Sequence, residues 1–241
     1  MITPILLGAH FLADFTLQPN RLAELKSKKI SFVLLHGLVH AAVMAGVGFS
    51  CVEAQAFITP FLIIALSHVV IDMLRQIIDR RFPNGNVLFW SFAADQTVHL
   101  SIIIAVSVHF GLKEHMTPAL TSAIETDGIR QYIVFLIMLI TVWDPAAVFV
   151  SKMFARLDCS GGNEPAGDTK TGRIIGKLER LIIVVLVMSN QLGGIGFVLT
   201  AKSVARFKQL EDQKFAEKYL VGTLASVTIA IITSIVMRYY L

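Results

Sequence analysis

The chain has 241 residues, of which 55% are hydrophobic and only 16% charged, and its mean hydropathy is +0.69. Such a composition excludes an ordinary soluble domain and points to a polytopic membrane protein. The net charge of +4 does not argue for nucleic acid, because Lys and Arg sit in short clusters between apolar runs, where they set membrane orientation.

A membrane span needs roughly 20 mostly apolar residues. Seven segments approach that length: 2–18, 30–50, 56–77, 87–110, 131–151, 178–201 and 219–240. The predicted fold is therefore an all-α polytopic transmembrane bundle of six to seven spans. Residues 1–112 form a four-span unit, 113–130 a polar connection containing Pro118 and Gly128, and 131–241 a C-terminal unit of two to three spans.

The first segment, short for a full crossing, carries His10, Asp14 and Gln18 at spacings of four in GAHFLADFTLQPN. It has no basic leader and no small-residue cleavage site, and it reads as a retained span rather than a secretory signal. The second carries His36 and His40 in LLHGLVHAA, the third His68 and Asp72 in LSHVVIDML, and the fourth Asp95 and His99 in FAADQTVHLS. Each of the four spans thus bears a pair of metal-ligand types at i and i+4, a spacing that stacks both side chains on one helix face, roughly 6 Å apart.

Basic residues in the connections orient the bundle. Arg21, Lys26, Lys28 and Lys29 follow the first span, none follow the second, and Arg75, Arg80 and Arg81 follow the third. That alternation puts the first and third connections in the cytoplasm and the N-terminus outside. Counting inward at ~1.5 Å per residue, all four pairs then fall in one layer, roughly 6 to 18 Å from the cytoplasmic boundary. Eight ligand-type residues at one depth are hard to attribute to chance contacts, since each buried ionisable group costs roughly 2.5 to 3.5 kcal/mol at a helix centre.

The donor set bears on the ion. Imidazoles and carboxylates without Cys or Met favour zinc, manganese or iron over copper(I), and five imidazoles argue against magnesium or calcium. Zinc is the preferred divalent ion, with His10, Asp14, His36, His40, His68, Asp72, Asp95 and His99 as candidate ligands. Gln18, Ser67 and Gln96 adjoin the pairs and are candidates to orient ligands or bind substrate. His109 and His115 lie away from the layer. Cys51 and Cys159 imply no disulfide framework.

In the C-terminal half, Asp144 lies just before Pro145, which removes a helix donor. The stretch GRIIGKLER, residues 172–180, is basic and suits contact with anionic headgroups; a salt bridge to the ligand layer is its second reading. DCSGGNEPAGDTKTG, residues 158–172, reads as a flexible connection, lacking the Gly-Lys-Ser/Thr ending of a phosphate loop. In SNQLGGIGF, residues 189–197, the glycines predict a break in the sixth segment. Without that break, Lys202, Arg206, Lys208, Lys214 and Lys218 would face outward, against the orientation set by the other connections.

The pattern His10-x3-Asp14-Phe15-x2-Gln18, His36-x3-His40, His68-x3-Asp72 and Asp95-Gln96-x2-His99 resembles a bacterial membrane-protein family known as domain of unknown function 3307. GRIIGKLER, AKSVARF and YLVGTLAS resemble its longer members, so the likeness covers nearly the whole chain. It implies the bacterial inner membrane and names no activity. Locally, SHVVIDML is similar to the Ser-His-x3-Asp element of inner-membrane metal-dependent hydrolases.

Two functions follow as expectations. The first is a metal-dependent hydrolase acting on a lipid or lipid-linked ester or phosphoester, with Asp14 or Asp95 as general base. The alternative is a divalent-cation or proton transporter or channel using the same layer. Membrane lipids are the expected partners, one of them as substrate, and nucleic acid is not; monomer and homo-oligomer both stay open.

Overall fold

The computed structural model describes residues 1–18, 25–26, 29–157 and 170–241. Most of the predicted Gly-rich connection therefore lies outside the described residues, as do Arg21, Lys28 and Cys159. Among the described residues the fold is all-α, with no strand beyond one isolated bridge between Val52 and Met116.

The helices in chain order are α1 (Ile2–Phe11), extended by a π-helical turn (Leu12–Thr16), α2 (Ile30–Cys51), α3 (Ala54–Arg81), α4 (Gly85–His109) and α5 (Pro118–Glu125). They continue with α6 (Asp127–Leu157), α7 (Lys170–Met188), α8 (Gly193–Ala205), a 3-10 turn (Phe207–Glu211) and α9 (Gln213–Arg238). Five of them, α2, α3, α4, α6 and α9, are long and apolar enough to cross a membrane. The run Ile2–Thr16 and helix α8 are apolar but shorter. At ~1.5 Å per residue a 15-residue run reaches roughly 22 Å, less than a ~30 Å hydrocarbon core.

Two compact units divide the chain, Met1–Ile137 and Met138–Leu241. In the first, each long helix turns one stripe inward. Helix α2 buries Val33, His36, His40, Met44 and Gly48, α3 buries Phe57, Ile64, His68, Asp72 and Gln76, and α4 buries Phe92, Asp95, His99 and Ile103. Steps of three and four keep these residues on one face. The opposite faces carry large apolar side chains, among them Leu38 at 68% and Leu66 at 66% exposure. A helix that is apolar on its outside and polar within is built for lipid as solvent.

Helices α2 and α3 meet in a tight hairpin. A Cβ on Gly48 would lie 2.0 Å from Phe57 Cε1, so only glycine permits this approach. At the same end, Glu53 N–H donates to His115 O and Thr117 N–H to Cys51 O, both at 2.9 Å. Within the segment expected to be a polar connection, residues 118–125 instead form α5. Thr117 caps it by accepting from Leu120 N, Pro118 occupies its first turn and Leu120 enters the core. A proline there is preset for a helix, since its missing N–H has no intrahelical partner anyway.

In the second unit, the predicted break is present. Helix α7 stops at Met188, Asn190 adopts a left-handed φ of 58°, and α8 starts at Gly193. Lys202 Nζ on α8 lies 2.5 Å from Glu179 Oε2 on α7, so α8 folds back along α7 as a hairpin. Residue 202 consequently returns to the level of α7's first half. Around Pro145 the buried Arg180 guanidinium donates to Val142 O at 2.6 Å and to Trp143 O at 3.4 Å, occupying carbonyls beside the proline. Lys177 pairs with Asp144 at 2.5 Å.

Candidate metal centre

The four pairs meet in the first unit. His10, Asp14, His36, His40, His68, Asp72, Asp95 and His99 are all buried, none more than 7% exposed. Helices α1 to α4 each supply one pair, and the i, i+4 spacing puts both members of a pair at adjacent levels of the inner face. Asp14 sits within the π-helical turn, a wider turn of the kind found at functional sites.

At the centre, His36 Nε2 lies 3.0 Å from Asp14 Oδ1 and 3.3 Å from His68 Nε2. His68 Nε2 is 3.4 Å from Asp14 Oδ1. Asp72 Oδ2 is 3.6 Å from His36 Nε2 and 3.7 Å from His68 Nε2. Ligands bound at ~2.0 Å in a tetrahedron stand ~3.3 Å apart, and each of these five separations lies near that spacing. Beside it, His10 Nδ1 is 3.0 Å from His40 Nε2, and the His40 and His68 rings stack at 3.6 Å. Two sets have ligand atoms mutually within 4.8 Å: His10, Asp14, His40 and His68, and His36, His68 and Asp72. A buried His/Asp group able to hold a metal ion is thus in place.

Two further observations fit a cation. His10 Nε2 and His40 Nδ1 are buried with no hydrogen-bond partner among the described residues, and such atoms are costly unless something satisfies them. Among the described cationic side chains, the carboxylates Asp14, Asp72 and Asp95 face Lys26, 2.5 Å from Asp72 Oδ2, and Arg75, 3.1 Å from Asp95 Oδ2. Three carboxyl groups thus meet two cationic side chains among the described residues, an arrangement that suits a bound cation.

Asp95 and His99 stand at the side of this centre. Gln96 Nε2 donates to Asp14 Oδ2 at 3.0 Å and to Asp95 Oδ2 at 3.1 Å, tying the two carboxylates together. Asp95 Oδ1 has no partner among the described residues, and His99 Nε2 lies 3.4 Å from His68 O. Of the other candidates, Ser67 spends its hydroxyl on Ile64 O of its own helix at 3.1 Å. Gln18 lies in a bend beyond the π turn, so the row of four stops at Asp14.

Sequence reasoning did not assign Lys26, Arg75 or Gln76 to the site. Gln76 is buried with Nε2 unpartnered among the described residues, and it extends the His68, Asp72 row by one more step of four. Arg75 follows Asp72 by three, a spacing that also predicts a shared face.

The two ends of the layer differ. Toward the α5 end lie Leu6, Met44, Val52, Phe57, Ile64, Ile103 and Leu112, each at most 2% exposed, an apolar plug. Toward the other end lie Lys26 and Arg75, with Arg75 Nε 3.5 Å from Asp79 Oδ2 and Ser91 donating to Asp79.

A family model described as Protein of unknown function (DUF3307) matches residues 2–126, which include all four pairs. No curated protein and no solved structure matches the chain.

Proposed function

The chain belongs to the DUF3307 family, and from that premise we propose that its His/Asp layer is an intramembrane zinc site acting as a metal-dependent hydrolase. The substrate is a lipid or lipid-linked ester or phosphoester. The observation that carries this reading is the one-sidedness of the layer: apolar plug at one end, charged rim of Lys26, Arg75 and Asp79 at the other. A hydrolase needs access from one side only, whereas transport of a cation or proton needs a polar path to both.

Either set would hold the ion, His36, His68 and Asp72 in one and His10, Asp14, His40 and His68 in the other; manganese and iron also suit these donors. Zinc so held supplies Lewis acidity and a water acidified toward pKa ~7. Asp95 fits the general base, because Arg75 and Gln96 fix one carboxylate oxygen and leave the other without a partner. Lys26 and Arg75 at the rim favour an anionic phosphoester. The basic connections at this end support a cytoplasmic position for it, with the N-terminus outside a bacterial inner membrane.

The test is release of a headgroup or acyl chain from phospholipid vesicles by reconstituted protein. Turnover that requires added zinc and is abolished in Asp95→Asn, with the metal retained, is the expected result. Turnover unaffected by chelation, or by Asp95→Asn, would overturn the assignment. Zinc-dependent ion flux without turnover would favour the transport alternative.

A further inference from the structure

The His/Asp layer repeats one small pattern. On α1 and its π-helical turn, His10 and Asp14 stand at i and i+4, and on α3 His68 and Asp72 do the same. Helix α2 packs against both and brings two histidines, His36 and His40, again one turn apart. His36 Nε2 lies 3.3 Å from His68 Nε2 and 3.6 Å from Asp72 Oδ2. His40 Nε2 instead lies 3.0 Å from His10 Nδ1, and His10 Nε2 is 3.8 Å from Asp14 Oδ2. Each His-x3-Asp pair is thus completed by one histidine of α2, His36 for the pair on α3 and His40 for the pair on α1. Both triads have two imidazoles and one carboxylate, and within each the ligand atoms lie no more than 4.8 Å from one another.

A single ion cannot use both triads. Zinc takes four protein ligands in a structural site and three with a water in a catalytic one, so an ion held by His36, His68 and Asp72 leaves His10 and His40 over. Both are fully buried, and His10 Nε2 and His40 Nδ1 have no hydrogen-bond partner among the described residues. Imidazoles withdrawn from water in this way are costly to keep inside an apolar bundle unless they hold something.

We propose that the layer binds two divalent cations side by side, one in His36, His68 and Asp72, the other in His10, Asp14 and His40. This pairing rests on the reading of the layer as a metal site and goes beyond its single ion. Three protein ligands leave each cation an open position. Asp14 lies where the triads touch, its Oδ1 3.0 Å from His36 Nε2 and 3.4 Å from His68 Nε2, its Oδ2 toward His10. Such contiguity is what a two-metal site, with ions roughly 3.5 to 4 Å apart, requires. His68 is within reach of both sets, so its removal disturbs both ions and the test spares it.

The test counts zinc on full-length, tag-free protein in detergent after gel filtration, by mass spectrometry for the metal against protein concentration. Wild type should hold about two ions per chain and each of two variants about one, His36→Ala through the triad of His10, Asp14 and His40, His40→Ala through that of His36, His68 and Asp72. Where a variant elutes unlike wild type or loses both ions, manganese-loaded wild type decides: its electron paramagnetic resonance spectrum should be that of a spin-coupled pair, and a spectrum of isolated ions would overturn the proposal. About one ion in wild type, or a variant that keeps as many ions as wild type, would also overturn it and leave the single-ion reading standing. Wild type without metal would overturn both.

Discussion

Replacing Lys26 by Met should tighten zinc binding. Lys26 Nζ lies 2.5 Å from Asp72 Oδ2, with side-chain exposures of 14% and 2%, and the same oxygen is one of those placed to hold the ion. Zinc must therefore displace the ammonium. An ion pair this buried contributes on the order of 1.5 to 3 kcal/mol, present in the metal-free protein and absent from the loaded one. Removing it should lower the zinc Kd by roughly 10- to 100-fold and lower the stability of the metal-free protein by a similar energy. Competition titration against a fluorescent chelator in detergent, with thermal unfolding of the metal-free form, measures both. Weaker zinc binding in Lys26→Met, or binding unchanged beside a destabilised metal-free form, would refute the idea that ammonium and metal compete for Asp72.

Asp95→Asn should retain zinc while turnover falls by about 10²- to 10⁴-fold, the range for loss of a general base, read by metal content and lipid hydrolysis on one preparation. Metal occupancy should fall on acidification, because protons compete with the metal for the ligand atoms; chelator titration at a series of pH values checks the sign. Gly48→Ala should destabilise the first unit by about 1 to 3 kcal/mol, since the new Cβ would collide with the Phe57 ring, and denaturant titration in detergent reads it. Arg180→Ala should cost about 3 kcal/mol or more by leaving Val142 O, Trp143 O and Ser226 Oγ without their donor.

The ligand pairs were legible because helix periodicity alone places i and i+4 on one face, and because a charged or imidazole group inside an apolar run is costly enough to be meaningful. The break after Met188 was legible for a similar reason, Gly193, Gly194 and Gly196 being poor in helix interiors. Which helix faces which was not. Spacing says nothing about the rotation of α2 against α1, so the contact of His36 with Asp14 rather than with its own neighbours needed the packed structure.

The plug was invisible for a different reason. Phe57 and Ile103 face the interior while Leu66 and Val108 face outward, yet all four are simply apolar in the sequence, since lipid and core select the same side chains. Helix α5 was missed although Thr117 and Pro118 signal an N-terminus, because eight residues of mixed polarity between two long spans read as a connection. Lys26 lies in a basic connection whose charges were counted for orientation, and nothing local marks it as the one that turns inward to Asp72.

The most direct test of the central claim is metal content by mass spectrometry on detergent-purified, zinc-reconstituted protein, wild type beside a His68→Ala, Asp72→Ala double variant. His68 belongs to both ligand sets and Asp72 to the second, so the account predicts near-stoichiometric metal in wild type and its loss in a folded double variant. Wild type without metal, or a double variant that holds as much as wild type, would contradict it.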